Sequence, residues 1–204
     1  MKSRLFKMTI AAVALVALCA TVVGTAGAAP ANTVTVTGAV IGYGSGSSTW
    51  MKPVSGATIR VEGATETATT ASDGIYSLIA IVPGGPTYYF GKVITASHPW
   101  YQTGHRLLTS EPMQVQTFLL RVKGTKFVVT VKSGSKRVKG AKVSCFGKSA
   151  TSNSHGVATL SGLQLKPQAK YTIKIRKSGY HNSNFKVTSK PGGTKNITKN
   201  ITKS

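Results

Sequence analysis

Residues 53–78, PVSGATIRVEGATETATTASDGIYSL, are restated at residues 138–160 as VKGAKVSCFGKSATSNSHGVATL. Val54-Ser55-Gly56-Ala57-Thr58-Ile59 answers to Val138-Lys139-Gly140-Ala141-Lys142-Val143, and Ser72-Asp73-Gly74-Ile75 answers to Ser154-His155-Gly156-Val157. In each copy a glycine ends a turn and an alternating run follows, the pattern of a half-buried β-strand. In Ser72-Asp73-Gly74 the aspartate is suited to capping its own turn while the glycine accepts positive φ. The same turn reading is extended to His155. One supersecondary pattern stated twice predicts two small domains of one fold.

Outward from this repeat, residues 33–40 alternate with strand period. Further strands are expected at 56–62, 75–80, 87–96 and 113–120 in the first half. The second half offers 126–132, 141–146, 156–160, 170–177 and 184–189, and residues 195–202 read either as a last strand or as a frayed basic tail. Turn clusters such as Val82-Pro83-Gly84-Gly85-Pro86 separate them. The expected class is all-β: two tandem small β-sandwiches, at 33–121 and 124–204, joined around Lys123-Gly124-Thr125.

Ahead of them, Lys2, Arg4 and Lys7 precede an apolar run at residues 8–23, and Thr25-Ala26-Gly27-Ala28 offers small residues for cleavage. This order reads as a secretory signal peptide, residues 1–28, with a run short for a membrane span of roughly 20 residues. A secreted, extracellular location follows, with any hold on the cell surface made by contacts. Cys19 would leave with the leader. Cys145 then has no partner for a disulfide, and its phase with Ala141 and Val143 makes it a small core hydrophobe.

The two halves differ in charge. Residues 29–120 hold four acids (Glu62, Glu66, Asp73, Glu111) and four bases (Lys52, Arg60, Lys92, Arg106); residues 121–204 hold nineteen Lys and Arg and no acid.

The first half resembles a carboxypeptidase regulatory-like domain, through Thr37-Gly38-Ala39-Val40, Lys52-Pro53-Val54-Ser55-Gly56-Ala57-Thr58-Ile59, Ala71-Ser72-Asp73-Gly74-Ile75-Tyr76, Val82-Pro83-Gly84-Gly85 and Ala96-Ser97-His98-Pro99-Trp100-Tyr101. The second half is a weaker match of the same type, keeping Val138-Lys139-Gly140-Ala141, Gly156 and Lys177-Ser178-Gly179-Tyr180, with His155 where the family carries an acid. The resemblance implies a prealbumin-like sandwich, a fold also grouped with carbohydrate-binding-like and Ig-like folds. It says little about function, because such modules are appended to many extracellular proteins.

Catalytic chemistry finds few reagents here. A glycosidase needs two carboxylates facing one bond, and residues 29–204 hold four acids in all. His98, His105, His155 and His181 are scattered, without close ligand spacing, and no nucleophile-elbow pattern occurs. Asp73 lacks a neighbouring carboxylate to share a calcium ion. A non-enzyme without cofactor or metal is the expectation.

Binding has more to work with. Strand alternation sends Tyr171, Ile173 and Ile175 inward and Lys170, Thr172, Lys174 and Arg176 outward; Lys126 and Lys132 alternate likewise, and Lys142 is placed on the next strand beside them. Such a face suits a polyanion: an anionic cell-wall polymer or an acidic polysaccharide, with nonspecific nucleic-acid binding in vitro. Phe146, Tyr180 and Phe185 are few as base-stacking partners. Membrane insertion is not expected without an amphipathic helix. A solubilising surface is the plainer account of the charge. The rival binding site is an aromatic platform for neutral, starch-like glucan made of Trp50, Trp100 and Tyr101, against which stands simple core packing.

Overall fold

The computed structural model describes residues 33–44, 50–82 and 89–204; the leader, the turn at 83–86 and most of the loop before Trp50 lie outside the described residues. The described chain is all-β. Its first half contains β1 (Thr33–Gly44), β2 (Trp50–Pro53), β3 (Thr58–Val61), β4 (Thr67–Thr69), β5 (Ile75–Ile81), β6 (Val93–Ser97), β7 (Gly104–Leu107), β8 (Met113–Val115) and β9 (Phe118–Arg121). The second half contains β10 (Thr125–Ser133), β11 (Lys136–Arg137), β12 (Lys142–Cys145), β13 (Lys148–Thr151), β14 (Val157–Leu163), β15 (Lys170–Arg176), β16 (Ser183–Thr188) and β17 (Thr194–Asn200).

The two halves share one topology. In the first, β1 pairs antiparallel with β5 and β2 and parallel with β8 and β9, and a second sheet runs β4-β3-β6-β7. In the second, β10 pairs antiparallel with β14 and β11 and parallel with β17, opposite a sheet β13-β12-β15-β16. Each pair of sheets closes on its own apolar core, one around Val36, Ile59, Ile94 and Phe118, the other around Phe127, Val143, Leu160 and Ile173. Period-2 alternation makes this possible: every second residue of β1 is buried along its whole length.

The repeated motif is the hinge between sheets in both copies, held by the same bonds. The buried Thr70 hydroxyl donates to the Val54 carbonyl at 2.6 Å and accepts from the Ala57 N–H at 2.8 Å. Ser152 does the same for Val138 at 2.7 Å and Ala141 at 2.9 Å. Gly74 (φ 80°) and Gly156 (φ 70°) sit where a Cβ would come within 2.7 Å of the Val40 carbonyl oxygen and 2.6 Å of that of Val131. Only glycine tolerates both the sign of φ and the space.

Asp73 Oδ1 accepts the Ile75 N–H at 2.9 Å, the turn role expected of it. His155 is a turn residue but not the cap. Asn153 Oδ1 accepts from both His155 and Val157 N–H at 3.0 Å, so the capping oxygen has moved two residues upstream.

Several strand boundaries differ from expectation. The strand expected at 87–96 begins at Val93, because Tyr89-Phe90-Gly91 turn with the Lys92 N–H on the Tyr89 carbonyl at 3.0 Å. The strand expected at 113–120 breaks in two at Gln116. Its carbonyl turns aside to accept the Tyr76 hydroxyl at 2.7 Å and rests against Gly38. Residues 194–200 form a full strand, not a tail: β17 pairs with β10 through seven positions, and Ile201 is buried behind it. Strands β2, β4, β7, β11 and β13 are short and at sheet edges, where one-sided burial is too weak to write an alternating pattern.

The first sandwich runs through Val122, whose N–H reaches the Tyr43 carbonyl at 2.8 Å; the second begins at Thr125. At the junction the Lys123 N–H bonds the Trp100 carbonyl at 2.8 Å and the Gly192 N–H bonds the Gly124 carbonyl at 3.3 Å. A turn from each sandwich therefore flanks the linker.

Candidate functional site

The outward residues of the β13-β12-β15-β16 sheet gather several cations on one face. On β15 the burial pattern leaves Lys170, Thr172, Lys174 and Arg176 exposed while Ile173 and Ile175 enter the core. Pairing places Lys142 of β12 directly opposite Arg176, and Ser144 opposite Lys174. On the other side Lys186 of β16 lies opposite Thr172, and Asn184 opposite Lys174. Directly opposed residues bring their Cβ atoms to within about 5.5 Å. Five cations and several hydroxyls and amides thus share one face, with no acidic side chain in the whole sandwich.

A groove of about 520 Å³ opens on this face, lined by Lys142, Lys148, Lys174 and Arg176 with Ser144, Ser149 and Thr172. Its end is the two-residue β12–β13 turn, Phe146-Gly147, with φ of 46° and 75°. Positive φ at both positions is the tight-hairpin geometry, and it is rare for a bulky residue such as phenylalanine. The Phe146 ring meets Tyr171 edge-on at 5.3 Å and packs on the second core. Lys148 turns its Nζ to the Ser161 carbonyl at 3.0 Å, which anchors one cation at the groove wall.

Four of the six predicted polyanion-binding residues, Lys142, Lys170, Lys174 and Arg176, are therefore neighbours. Lys126 and Lys132 are not with them. They lie on β10 in the opposite sheet, with their inward neighbours Phe127, Val129 and Val131 between them and the β12–β15 face. The expectation that Lys142 joins them on an adjacent strand is corrected: the hinge shared by both copies of the repeat sends the chain across to the other sheet between β11 and β12. Lys186 was missed, although residues 184–188 alternate in the same way as β15, and Lys148 was missed because β13 was not foreseen.

The aromatic candidates do not converge on an open platform. Tyr101 is 2% exposed and bridges Val122; burial pushes its hydroxyl up to about 12. Trp50 and Trp100 pack half-buried against the first core. His98 lies edge-on to both Trp100 and Tyr101 at 5.3 Å, and desolvation, with Lys123 nearby, holds it below its ordinary value. Phe146, Tyr180 and Phe185 are likewise packed on the second core.

Three of the four acids are engaged with the backbone. Asp73 caps Ile75, Glu66 Oε2 accepts the Ile81 N–H at 3.2 Å, and Glu62 Oε2 accepts the Val93 N–H at 3.2 Å. Backbone hydrogen bonds hold the Glu66 carboxyl below its usual range. Among the described residues no group of three His, Cys, Asp or Glu is placed to hold a metal, and no helix is long and apolar enough to cross a membrane. Cys145 is buried as expected, and burial pushes its thiol up to about 11.

Fold and site together define a tandem β-sandwich protein whose second sandwich holds no acidic side chain and gathers cations along a grooved sheet face. No family model matches the chain, and no curated protein matches it. Solved structures with some likeness include the TIE protein of Bacillus anthracis, at 17% identity and a TM-score of 0.48, covering 84% of this chain. The chain spans about a third (34%) of that protein's length. The minor pilin of Streptococcus agalactiae is similar at 12% identity and TM-score 0.33, covering 84% of this chain and 96% of its own. The major pilin subunit of Bacillus cereus is similar at 15% and 0.33, covering 74% and 56%.

Proposed function

We propose that this chain is an exported, non-catalytic adhesion or attachment module whose second sandwich holds anionic cell-envelope polymers electrostatically. The first sandwich is read as a carboxypeptidase regulatory-like scaffold carrying it at the cell surface. The observation that carries the reading is the placement of Lys142, Lys170, Lys174 and Arg176, with Lys186, on one face that also forms a groove. Like charges directly opposite one another destabilise a sheet pair; Lys132 faces Arg137 in this way on the other sheet, and Lys142 faces Arg176 in the groove, where an anionic ligand would offset the cost. A face needed only for solubility works as well with mixed signs.

Phosphate-rich wall polymers and acidic polysaccharides both present the repeating negative charge that such a face accommodates. Stacking on neutral glucan is less well supported, since Tyr101 is buried and both tryptophans pack on the core.

Co-sedimentation of the protein with purified cell walls at two salt concentrations tests the proposal. Phosphate contacts release counterions, so raising salt from about 50 mM to about 200 mM should weaken binding by on the order of 100-fold for four or five contacts. Walls stripped of anionic polymer should retain none of it. Binding that is indifferent to salt, or that persists on stripped walls, would sink the idea.

A further inference from the structure

The first sandwich carries an apolar outer face at the position where the second carries a polar one. Ile75, Ile79 and Ile81 of β5, Met113 and Val115 of β8 and Leu119 of β9 are exposed by 48% (Ile81) to 74% (Met113). All point away from the core on the sheet built around β1. The registers make the patch continuous: Thr35 lies between Ile79 and Met113, and Thr37 between Ser77 and Val115. Thr33, Thr35 and Thr37 are half-buried and short, so β1 forms a trough between an isoleucine ridge and a methionine-valine ridge. In the second sandwich, the β14 strand that corresponds to β5 presents Val157, Thr159 and Ser161 outward, and β17 presents Asn196 and Thr198.

At about 100 Å² for each of the six side chains, the patch reaches some 600 Å², the top of the range for the largest apolar patch on a typical monomer, where such patches often serve an interaction. We infer that this face is the contact between two copies of the chain, stacked sheet on sheet about a two-fold axis. The ridge-and-trough profile is self-complementary: the β5 ridge of one copy fits the β1 trough of its partner, and the reverse, as an isologous contact requires. Two such patches would bury about 1,200 Å², above the roughly 1,000 Å² that a specific interface needs.

Charge argues for a second copy in particular. Residues 121–204 carry nineteen bases and no acid, so two chains repel through their second sandwiches. The first sandwich is balanced, and Arg121, at the β9 end, is the one Lys, Arg, Asp or Glu in strands β1, β5, β8 and β9. Contact here is the way for two such chains to meet without opposing their basic faces. The pair then presents two basic faces at once, which strengthens attachment to a polymer by effective concentration.

Sedimentation velocity on residues 29–204 between about 1 and 100 μM, at low and at high salt, is the test. The dimer should persist or tighten as salt rises, opposite in sign to polyanion binding, so failure of one does not masquerade as failure of the other. Ile79→Asp and, separately, Met113→Lys should each weaken dimerisation more than 100-fold with unchanged near-ultraviolet dichroism. Thr159→Asp, on the corresponding strand of the second sandwich, should leave it intact. A wild-type chain that stays monomeric at 100 μM overturns the inference, as does a dimer that both substitutions leave unaltered. A monomer that floats with phosphatidylcholine vesicles also overturns it and assigns the face to a lipid surface.

Discussion

The outer face of the five-stranded β1 sheet in the first sandwich shows Ile, Met and Leu, whereas that of the four-stranded β12–β15 sheet in the second shows Lys and Arg. Inward, the copies agree at the hinge and the turn: Thr70 and Ser152 make equivalent pairs of bonds, and Gly74 and Gly156 meet the equivalent carbonyls. The core and the turns determine the scaffold, and outward residues are free to diverge because a half-buried strand constrains only every second position. What separates the copies is therefore where their chemistry lies.

The largest test of that separation is charge reversal. Lys174→Glu with Arg176→Glu should lower affinity for an anionic wall polymer about 100-fold at low salt, by removing two contacts and adding two repulsions. Lys126→Glu with Lys132→Glu changes net charge equally but lies on the opposite sheet, and should cost less than about 10-fold. Equal losses in a binding titration would mean that net charge, not the groove face, is what the polymer senses.

The converse test asks whether the scaffold is as alike as the bonds suggest. Gly74→Ala and Gly156→Ala each force positive φ on a Cβ placed against a carbonyl oxygen, and each should destabilise its own sandwich by about 2 kcal/mol or more. Both tryptophans, Trp50 and Trp100, belong to the first sandwich. Tryptophan fluorescence thus follows that unit alone, while far-ultraviolet dichroism follows both. A Gly156 variant that lowers the fluorescence midpoint as much as the Gly74 variant would show that the two units unfold as one.

Much of this arrangement is legible in the sequence, and the gaps have physical causes. The long central strands β1, β10 and β15 are written as clean alternation because they are paired on both edges and bury one face along their length. Edge strands such as β7 and β13 have one side open to solvent and leave no such record. The basic face was legible strand by strand, from the alternation of Lys170 to Arg176. Which strands share a sheet was not, because the hinge around Val138-Lys139-Gly140 reads as a turn without saying that it crosses between layers. Lys126 and Lys132 were grouped with Lys142 for that reason. The apolar face escaped notice because Ile79 and Ile81, or Met113 and Val115, look like core residues until the register shows which way they point.

Alkaline titration separates the copies by their buried acids. The Cys145 thiol is raised from 9.0 to about 11 and the Tyr101 hydroxyl from 10.0 to about 12 by burial. In both the folded state holds its proton after the unfolded chain has lost it, so neither group alters stability below pH 9, and stability falls as pH rises past each unfolded value. The second sandwich should begin to weaken near pH 9, by up to about 2 kcal/mol, and the first nearer pH 10 and by more, because burial raises the Tyr76 hydroxyl as well as that of Tyr101. In Cys145→Ala the second sandwich should lose its pH dependence between 9 and 10 while fluorescence of the first is unaltered. A slope that survives the substitution would assign the effect to another group.

The smallest effect concerns chloride, which screens without binding tightly. Folding brings Lys142 opposite Arg176 and crowds the other cations of that face, a repulsion of less than about 1 kcal/mol per exposed pair in water. Raising sodium chloride from about 20 mM to about 500 mM shortens the screening length to a few ångströms and should raise the unfolding midpoint of the second sandwich by a few degrees. The first, with balanced charge, should barely respond. Lys142→Thr should remove part of the response by deleting one member of the opposed pair, and should make the second sandwich more stable at low salt. A charged residue whose deletion stabilises the fold is retained for something other than folding, whereas a Lys142→Thr protein that is less stable at low salt would show that its stem packs usefully and that the opposed pair costs nothing.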